Sequence, residues 1–159
     1  MPNDLITYLE EFLTPRRKEL FEKTLSFRTE YISLVLEDLY QSHNASAVIR
    51  TAECFGIHRI HVIENRNEFE QNHEISLGSE KWVEIHKFNQ SDNNTRSAIE
   101  CLRKQGYRIV ATTPHEKGGR LEDFELEKGK VALLFGTELK GLSDEAVSHA
   151  DEFLSIPIY

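Results

Sequence analysis

An apolar run that stops at a glycine and restarts as a helix constrains this chain more than any other feature. Val131-Ala-Leu-Leu-Phe135 suits a strand buried on both faces. Gly136 and Gly141 then bracket a short loop with Glu138 at its centre, and Ser143 supplies the cap of a following helix. A strand of this kind belongs to a parallel α/β sheet covered on both sides, and such sheets bind ligands at the carboxyl ends of their strands. The loop differs from a nucleotide phosphate loop at one decisive residue. A phosphate loop needs Lys directly after its second glycine, whereas Leu142 follows Gly141 and Lys140 precedes it. Something other than a triphosphate is held there.

The rest of the chain repeats the strand–helix alternation. Residues 4–28 read as two helical pieces, with Leu5, Leu9, Phe12 and Leu13 at helical spacing and Thr14-Pro15 opening the second. Tyr31–Leu39 reads as a strand. A helix carrying Ala47, Val48, Thr51, Ala52 and Phe55 follows and closes on Gly56, and Arg59–Ile63 completes a βαβ unit. Residues 64–80 read as a long loop, of the kind that is usually functional or mobile. Strands are expected at 82–85, 107–112, 131–135 and 153–156, with helices at 95–105 and 143–149. The fold class is therefore α/β, a parallel sheet flanked by helices.

With 159 residues, 39% hydrophobic and 29% charged, the chain has the size and composition of one globular domain. No apolar run reaches the roughly 20 residues of a membrane helix, and Met-Pro-Asn-Asp-Leu lacks the character of a signal peptide. Cys54 and Cys101 stand alone in helical segments, so the expectation is a reducing, cytoplasmic setting without disulfides or membrane attachment. The net charge of −8 argues against nucleic-acid binding through a bulk basic field, but leaves room for a local basic site.

Three polar residues draw attention. Asn44 lies at a strand-to-helix junction, where it serves either as an N-cap or as a functional amide. Arg50 follows six residues on, and Glu138 sits between the two glycines. If the two strand ends are neighbours, Arg50 and Glu138 meet across the crevice. His58 and His61 point to opposite faces of a strand, no zinc spacing exists, and no metal is expected. Neither a Gly-x-Ser-x-Gly elbow nor a dinucleotide fingerprint is present.

Three segments together resemble the SpoU or TrmH-like RNA ribose 2′-O-methyltransferases of the SPOUT superfamily. His43-Asn44-Ala-Ser-Ala-Val-Ile-Arg50-Thr-Ala-Glu-Cys-Phe-Gly56 is similar to the family's first motif. Phe135-Gly136-Thr-Glu138-Leu-Lys-Gly141-Leu-Ser143 is similar to the second, and Ile156-Pro157 begins the third. Gly78-Ser79-Glu-Lys81-Trp82-Val83 and Ala111-Thr112 also match family signatures. The resemblance covers residues 31–159 as a methyltransferase domain, and residues 1–30 resemble an N-terminal helical extension.

The resemblance implies a trefoil α/β knot, S-adenosylmethionine as methyl donor, and a homodimer formed through the knot region. It places Thr112, Gly136 and Ile156 at cofactor positions and Asn44, Arg50 and Glu138 at catalytic ones, with Glu138 orienting Arg50. The third motif normally runs past its Ile-Pro step, whereas this chain ends at Tyr159. The sequence is therefore expected to be a piece of a longer protein, with the knot incomplete. The substrate implied is tRNA, at a D-loop guanosine (position 18). Ribosomal RNA and the wobble position of tRNA are rival targets, and a non-catalytic RNA-binding or scaffold relative is the alternative class. Arg16, Arg17, Lys18 and Lys23 are the candidate contacts to the RNA backbone.

Overall fold

The computed structural model describes residues 2–70, 77–114 and 118–155. Seven parallel strands form one sheet: β1 (Ile32–Glu37), β2 (Arg59–Ile63), β3 (Glu84–Phe88), β4 (Arg108–Thr113), β5 (Gly119–Arg120), β6 (Val131–Phe135) and β7 (Glu152–Ser155). Their spatial order is β3-β2-β1-β6-β4-β7-β5, with every pair parallel. The chain winds outward from β1 to β3, crosses back to β4, and later inserts β6 between β1 and β4. That reversal is a topological switch point, where a crevice opens beyond the carboxyl ends of the strands.

Helices α1 (Pro2–Glu10) and α2 (Pro15–Leu25) precede the sheet. Helix α3 (Ser42–Cys54) links β1 to β2, α4 (Asn94–Lys104) links β3 to β4, and α5 (Asp144–Ser148) links β6 to β7. Side chains alternate across the sheet. Leu34 and Leu36 pack with Ile60, Val62 and, from α3, Ala45, Ile49 and Ala52. On the opposite face Val35 packs with Ile109, Leu134 and, from α4, Ala98, Ile99 and Leu102. Burial on both faces is why β1 reads as a continuous apolar run.

Several boundaries differ from the sequence reading, each for a local reason. β1 stops at Glu37 because Asp38 takes φ of 53° and turns the chain out of the sheet. Asp38 Oδ1 then accepts the backbone N–H groups of Asn65 at 2.7 Å and Arg66 at 2.8 Å, so the carboxylate organises the start of the loop after β2. The strand expected at 82–85 begins at Glu84, because Trp82 closes a 3₁₀ turn over Ser79–Lys81. Gly119 and Arg120, outside the strands expected from the sequence, pair with β7 as β5.

The expected Thr14 cap and Pro15 start of α2 are present, with Thr14 accepting from the Arg17 N–H. Gly56 follows α3 with φ of 71°, and a Cβ there would lie 2.2 Å from the Phe27 carbonyl oxygen. Leu20 and Leu25 of α2 are exposed, while Phe21 of the same helix rests against Trp82 with ring centroids 5.9 Å apart.

His61 is 1% exposed, stacked on His86 with centroids 5.4 Å apart, and its Nδ1 lies 2.9 Å from Ser33 Oγ. Burial, reinforced by the neighbouring His86 and Arg59, lowers its pKa from 6.5 to about 4. Below pH 6.5 the unfolded chain takes up a proton that the native state refuses. Stability is therefore expected to fall as the pH drops from 6.5 toward 4, by on the order of 3 kcal/mol. Urea titrations of wild type and His61→Gln across that window check this. A wild-type decline no steeper than the variant's counts against it.

Candidate functional site

A groove of about 690 Å³ opens beyond the carboxyl ends of β1 and β6, at the switch point of the sheet. Its walls come from Glu37–Gln41 at the end of β1 and beyond it, Asn44 on α3, Asn65–Asn67 after β2, Asp92 and Asn93 before α4, Thr95 on α4, and Thr137–Glu145 after β6. Carboxylates dominate, with Glu37, Asp38, Asp92, Glu138, Asp144 and Glu145 facing Arg66 and Lys140. This acidic lining is hostile to a triphosphate and compatible with a cationic ligand.

The loop from 136 to 143 is a tight, self-bonded unit. Thr137 N–H donates to the Gly141 carbonyl at 3.0 Å, Gly141 N–H donates back at 2.8 Å, and Lys140 N–H donates to Thr137 Oγ1 at 3.1 Å. Gly136 permits this closure, because a Cβ there would lie 2.1 Å from both the carbonyl carbon and the oxygen of Gly141. At the loop's end Ser143 caps α5 as expected, with its Oγ accepting from Ala146 N–H at 3.1 Å.

Glu138 is presented outward, where Asn44 Nδ2 donates to its Oε1 at 2.6 Å. This contact joins two motifs 94 residues apart in the chain. The capping reading of Asn44 is also removed. The N-cap of α3 is Gln41, so the Asn44 amide is not spent on capping.

The expected meeting of Arg50 with Glu138 does not form. Arg50 is exposed and, among the described residues, has no hydrogen-bond or ion-pair partner, while the Glu138 bond goes to Asn44. Helical geometry explains this. Six residues separate Arg50 from Asn44, which places the two about 120° apart around the axis and about 9 Å along it. Only the first turn of α3 faces the loop.

The cofactor positions are arranged more compactly. Thr112 lies near the end of β4, Gly136 directly follows β6, and β6 and β7 flank β4 on either side. The Thr112 hydroxyl donates to the Leu134 carbonyl at 2.7 Å, so its side chain braces the neighbouring strand. Ile156 lies outside the described residues. Of the four candidate RNA-binding cations, Arg16, Arg17 and Lys23 are exposed on α2, whereas Lys18 is half-buried and paired with Glu10 at 2.6 Å. Lys18 is thereby withdrawn from the open set.

The sequence reading overlooked Glu37, which is 2% exposed and accepts from Thr95 Oγ1, Ser143 Oγ and Ser143 N–H. One signal could have found it: an acid ending an otherwise apolar strand. Among the described residues no group of three His, Cys, Asp or Glu is placed to hold a metal, and no helix is long and apolar enough to cross a membrane.

Comparison with known proteins agrees with this architecture. The tRNA (guanosine(18)-2′-O)-methyltransferase of Borreliella burgdorferi is 43% identical over 154 residues, covering 97% of this chain and 68% of that protein. The crystal structure of the A. aeolicus TrmH/SpoU tRNA modifying enzyme superposes with a TM-score of 0.76 at 28% identity, covering 91% of this chain and 71% of that one. The SpoU methyltransferase AviRb of Streptomyces viridochromogenes, solved in complex with the cofactor AdoMet, gives a TM-score of 0.67 at 22% identity, covering 86% and 52%, a likeness of fold. The SpoU rRNA Methylase family profile matches residues 31–159, and the chain belongs to that family.

Proposed function

We propose that the protein methylates the ribose 2′-OH of a tRNA guanosine, position 18 of the D-loop, using S-adenosylmethionine. The observation that carries this reading is the 43% identity, across 97% of the chain, to a protein that bears that activity in its name. The site geometry supports it, since two motif residues distant in sequence meet at 2.6 Å above a switch-point groove. We place the enzyme in the cytoplasm, from its isolated cysteines, and as a homodimer, on the strength of the family resemblance.

The donor's sulfonium is cationic, and the groove beside the cofactor strands carries more carboxylates than cations, although neither Thr112 nor Gly136 lines the groove itself. Thr112 and Gly136 would hold the donor through the backbone at the ends of β4 and β6, and the family resemblance adds Ile156. When bound, S-adenosylmethionine supplies an electrophilic methyl group.

The chain's own residues do the rest. Asn44 holds Glu138, and the loop that carries it, against α3. Arg50, unpaired among the described residues, has its guanidinium free to clamp an RNA phosphate beside the reacting ribose and to stabilise the developing alkoxide. A guanidinium with pKa above about 12 is a poor free base, so the hydroxyl proton passes to phosphate or water. Alignment of the hydroxyl with the methyl group contributes up to roughly 7–11 kcal/mol.

The family description, which specifies rRNA, favours a second substrate. Labelled methyl transfer to tRNA and rRNA transcripts, mapped by nuclease digestion, decides between them. Incorporation at tRNA position 18 is expected, and label in rRNA alone overturns the substrate. Binding of the same tRNA tests the α2 surface. Replacing Arg16, Arg17 and Lys23 together by Gln is expected to weaken binding and to reduce the salt slope by roughly 0.7–0.9 for each phosphate no longer neutralised. Lys18→Gln is expected to change it least, because Lys18 already faces Glu10. An unchanged slope in the triple variant removes α2 from the RNA interface.

A further inference from the structure

We propose that Glu37 is a positioning residue for the methyl transfer, holding the 136–143 loop so that Glu138 stays against Asn44. The inference rests on the functional reading above. β1 is apolar and fully packed through Leu34, Val35 and Leu36, and then ends on a carboxylate that is 2% exposed. Burying a carboxylate costs several kcal/mol unless its oxygens are satisfied. Among the described residues every hydrogen-bond donor to it is neutral: Thr95 O–H at 2.5 Å, Ser143 O–H at 2.7 Å and Ser143 N–H at 2.8 Å. No Lys, Arg or His among them makes an ion pair with Glu37. An apolar residue would close the core at this place without that cost, so the acid is explained by what it grips.

What it grips is the far end of the Glu138 loop. β6 anchors the loop at Phe135, which pairs with Leu36 of β1. The bonds between Thr137 and Gly141 make the tip one rigid piece. Its remaining freedom is rotation between Gly136 and Ser143. Two of the three bonds to Glu37 fall on Ser143 and remove that freedom. The third falls on Thr95 in the first turn of α4, whose hydroxyl also accepts from Asn65 Nδ2 at 2.8 Å. Glu37 therefore ties the loop to two elements that the sheet already fixes. Glu138, exposed and held from the front only by Asn44 among the described residues, takes its position from this rear anchor.

Glu37→Gln keeps the shape but replaces the charge-assisted bonds by weaker neutral ones, and sets its N–H₂ group either against the Ser143 N–H or against two hydroxyls that must turn round to accept. The expected result is a kcat reduced about 10- to 100-fold, in line with a displacement of an ångström or less at the site. The KM for tRNA should stay within about twofold, since no RNA contact is touched. Hydrogen exchange of the peptide spanning 136–143 should quicken by about tenfold or more, while peptides from β1 and β2 keep their protection. In the double variant with Glu138→Gln, kcat should fall no lower than in the worse single variant, because one residue acts through the other.

Thr95→Val removes one of the three donors at constant volume, and is expected to reproduce both changes in smaller measure should Glu37→Gln fold poorly. Unaltered loop exchange, an unaltered kcat, or fully multiplicative losses in the double variant each overturn the proposal. A wild-type protein that methylates no RNA overturns the functional reading instead, and loop exchange then still decides whether Glu37 is the anchor.

Discussion

Gly136→Ala is expected to be the most damaging single substitution in the site. The added methyl would sit 2.1 Å from the carbonyl carbon and oxygen of Gly141 and 2.3 Å from the nitrogen of Leu142. These are backbone atoms of a loop closed by its own hydrogen bonds, so no side chain can rotate aside. Overpacking of this kind costs about 1–3 kcal/mol, and an immovable obstacle places it at the upper end or beyond. For a domain of this size the melting temperature should drop by roughly 6–12 °C. Methyl transfer should fall more than about 100-fold, because opening the loop displaces Glu138 from Asn44. Gly119→Ala is the control, since its Cβ would meet only the Phe153 carbonyl oxygen, at 3.6 Å. Thermal melts and single-turnover rates on the pair check the claim. A Gly136→Ala protein as stable as the control shows that the loop does not need its close approach.

Arg50 carries the second large effect, and of the opposite kind. Removing a group that stabilises transition-state charge costs about 10²–10³ in rate. Arg50→Ala is expected to lose that much, and Arg50→Lys nearly as much, because an ammonium cannot reproduce the two-pronged hold of a guanidinium on phosphate. Stability should stay within about 0.5 kcal/mol of wild type, because the side chain is exposed and unpaired among the described residues. Loss of activity without loss of stability separates Arg50 from Gly136, where both fall together. Near-normal turnover by Arg50→Lys ends any role that depends on the fork.

The two residues also show how unevenly the site could be read beforehand. The glycine-bounded loop is legible because a glycine at a strand end carries a backbone requirement in its own identity. Asn44 and Glu138 are each legible as polar residues at element junctions, and the structure brings them together. The pairing of Arg50 with Glu138 was wrong, although Arg50 lies only six residues from Asn44. The spacing turns Arg50 about 120° away from Asn44, but which face of α3 meets the loop is set by packing, and α3 shows the loop only its first turn. Lys18 failed as an open cation for a similar reason, since its partner Glu10 belongs to another helix.

Glu37 was invisible for a deeper reason. Local sequence shows an acid after Leu36, and nothing nearby says that the acid is buried or that Thr95 and Ser143 lie beside it. Those partners are 58 and 106 residues away.

Four properties were written in the order of residues alone: the alternation of strands and helices, the parallel sheet, the family, and the tight turn at Gly136. Each depends on periodicity, on conformational preference or on a motif confined to a short stretch of chain. Which polar groups share a cavity was settled by the three-dimensional arrangement: Asn44 with Glu138, Glu37 with Ser143, and Arg50 with neither. The order β1-β6-β4 places strands next to each other that are far apart in the chain, and contacts across such a junction depend on the topology of the whole sheet.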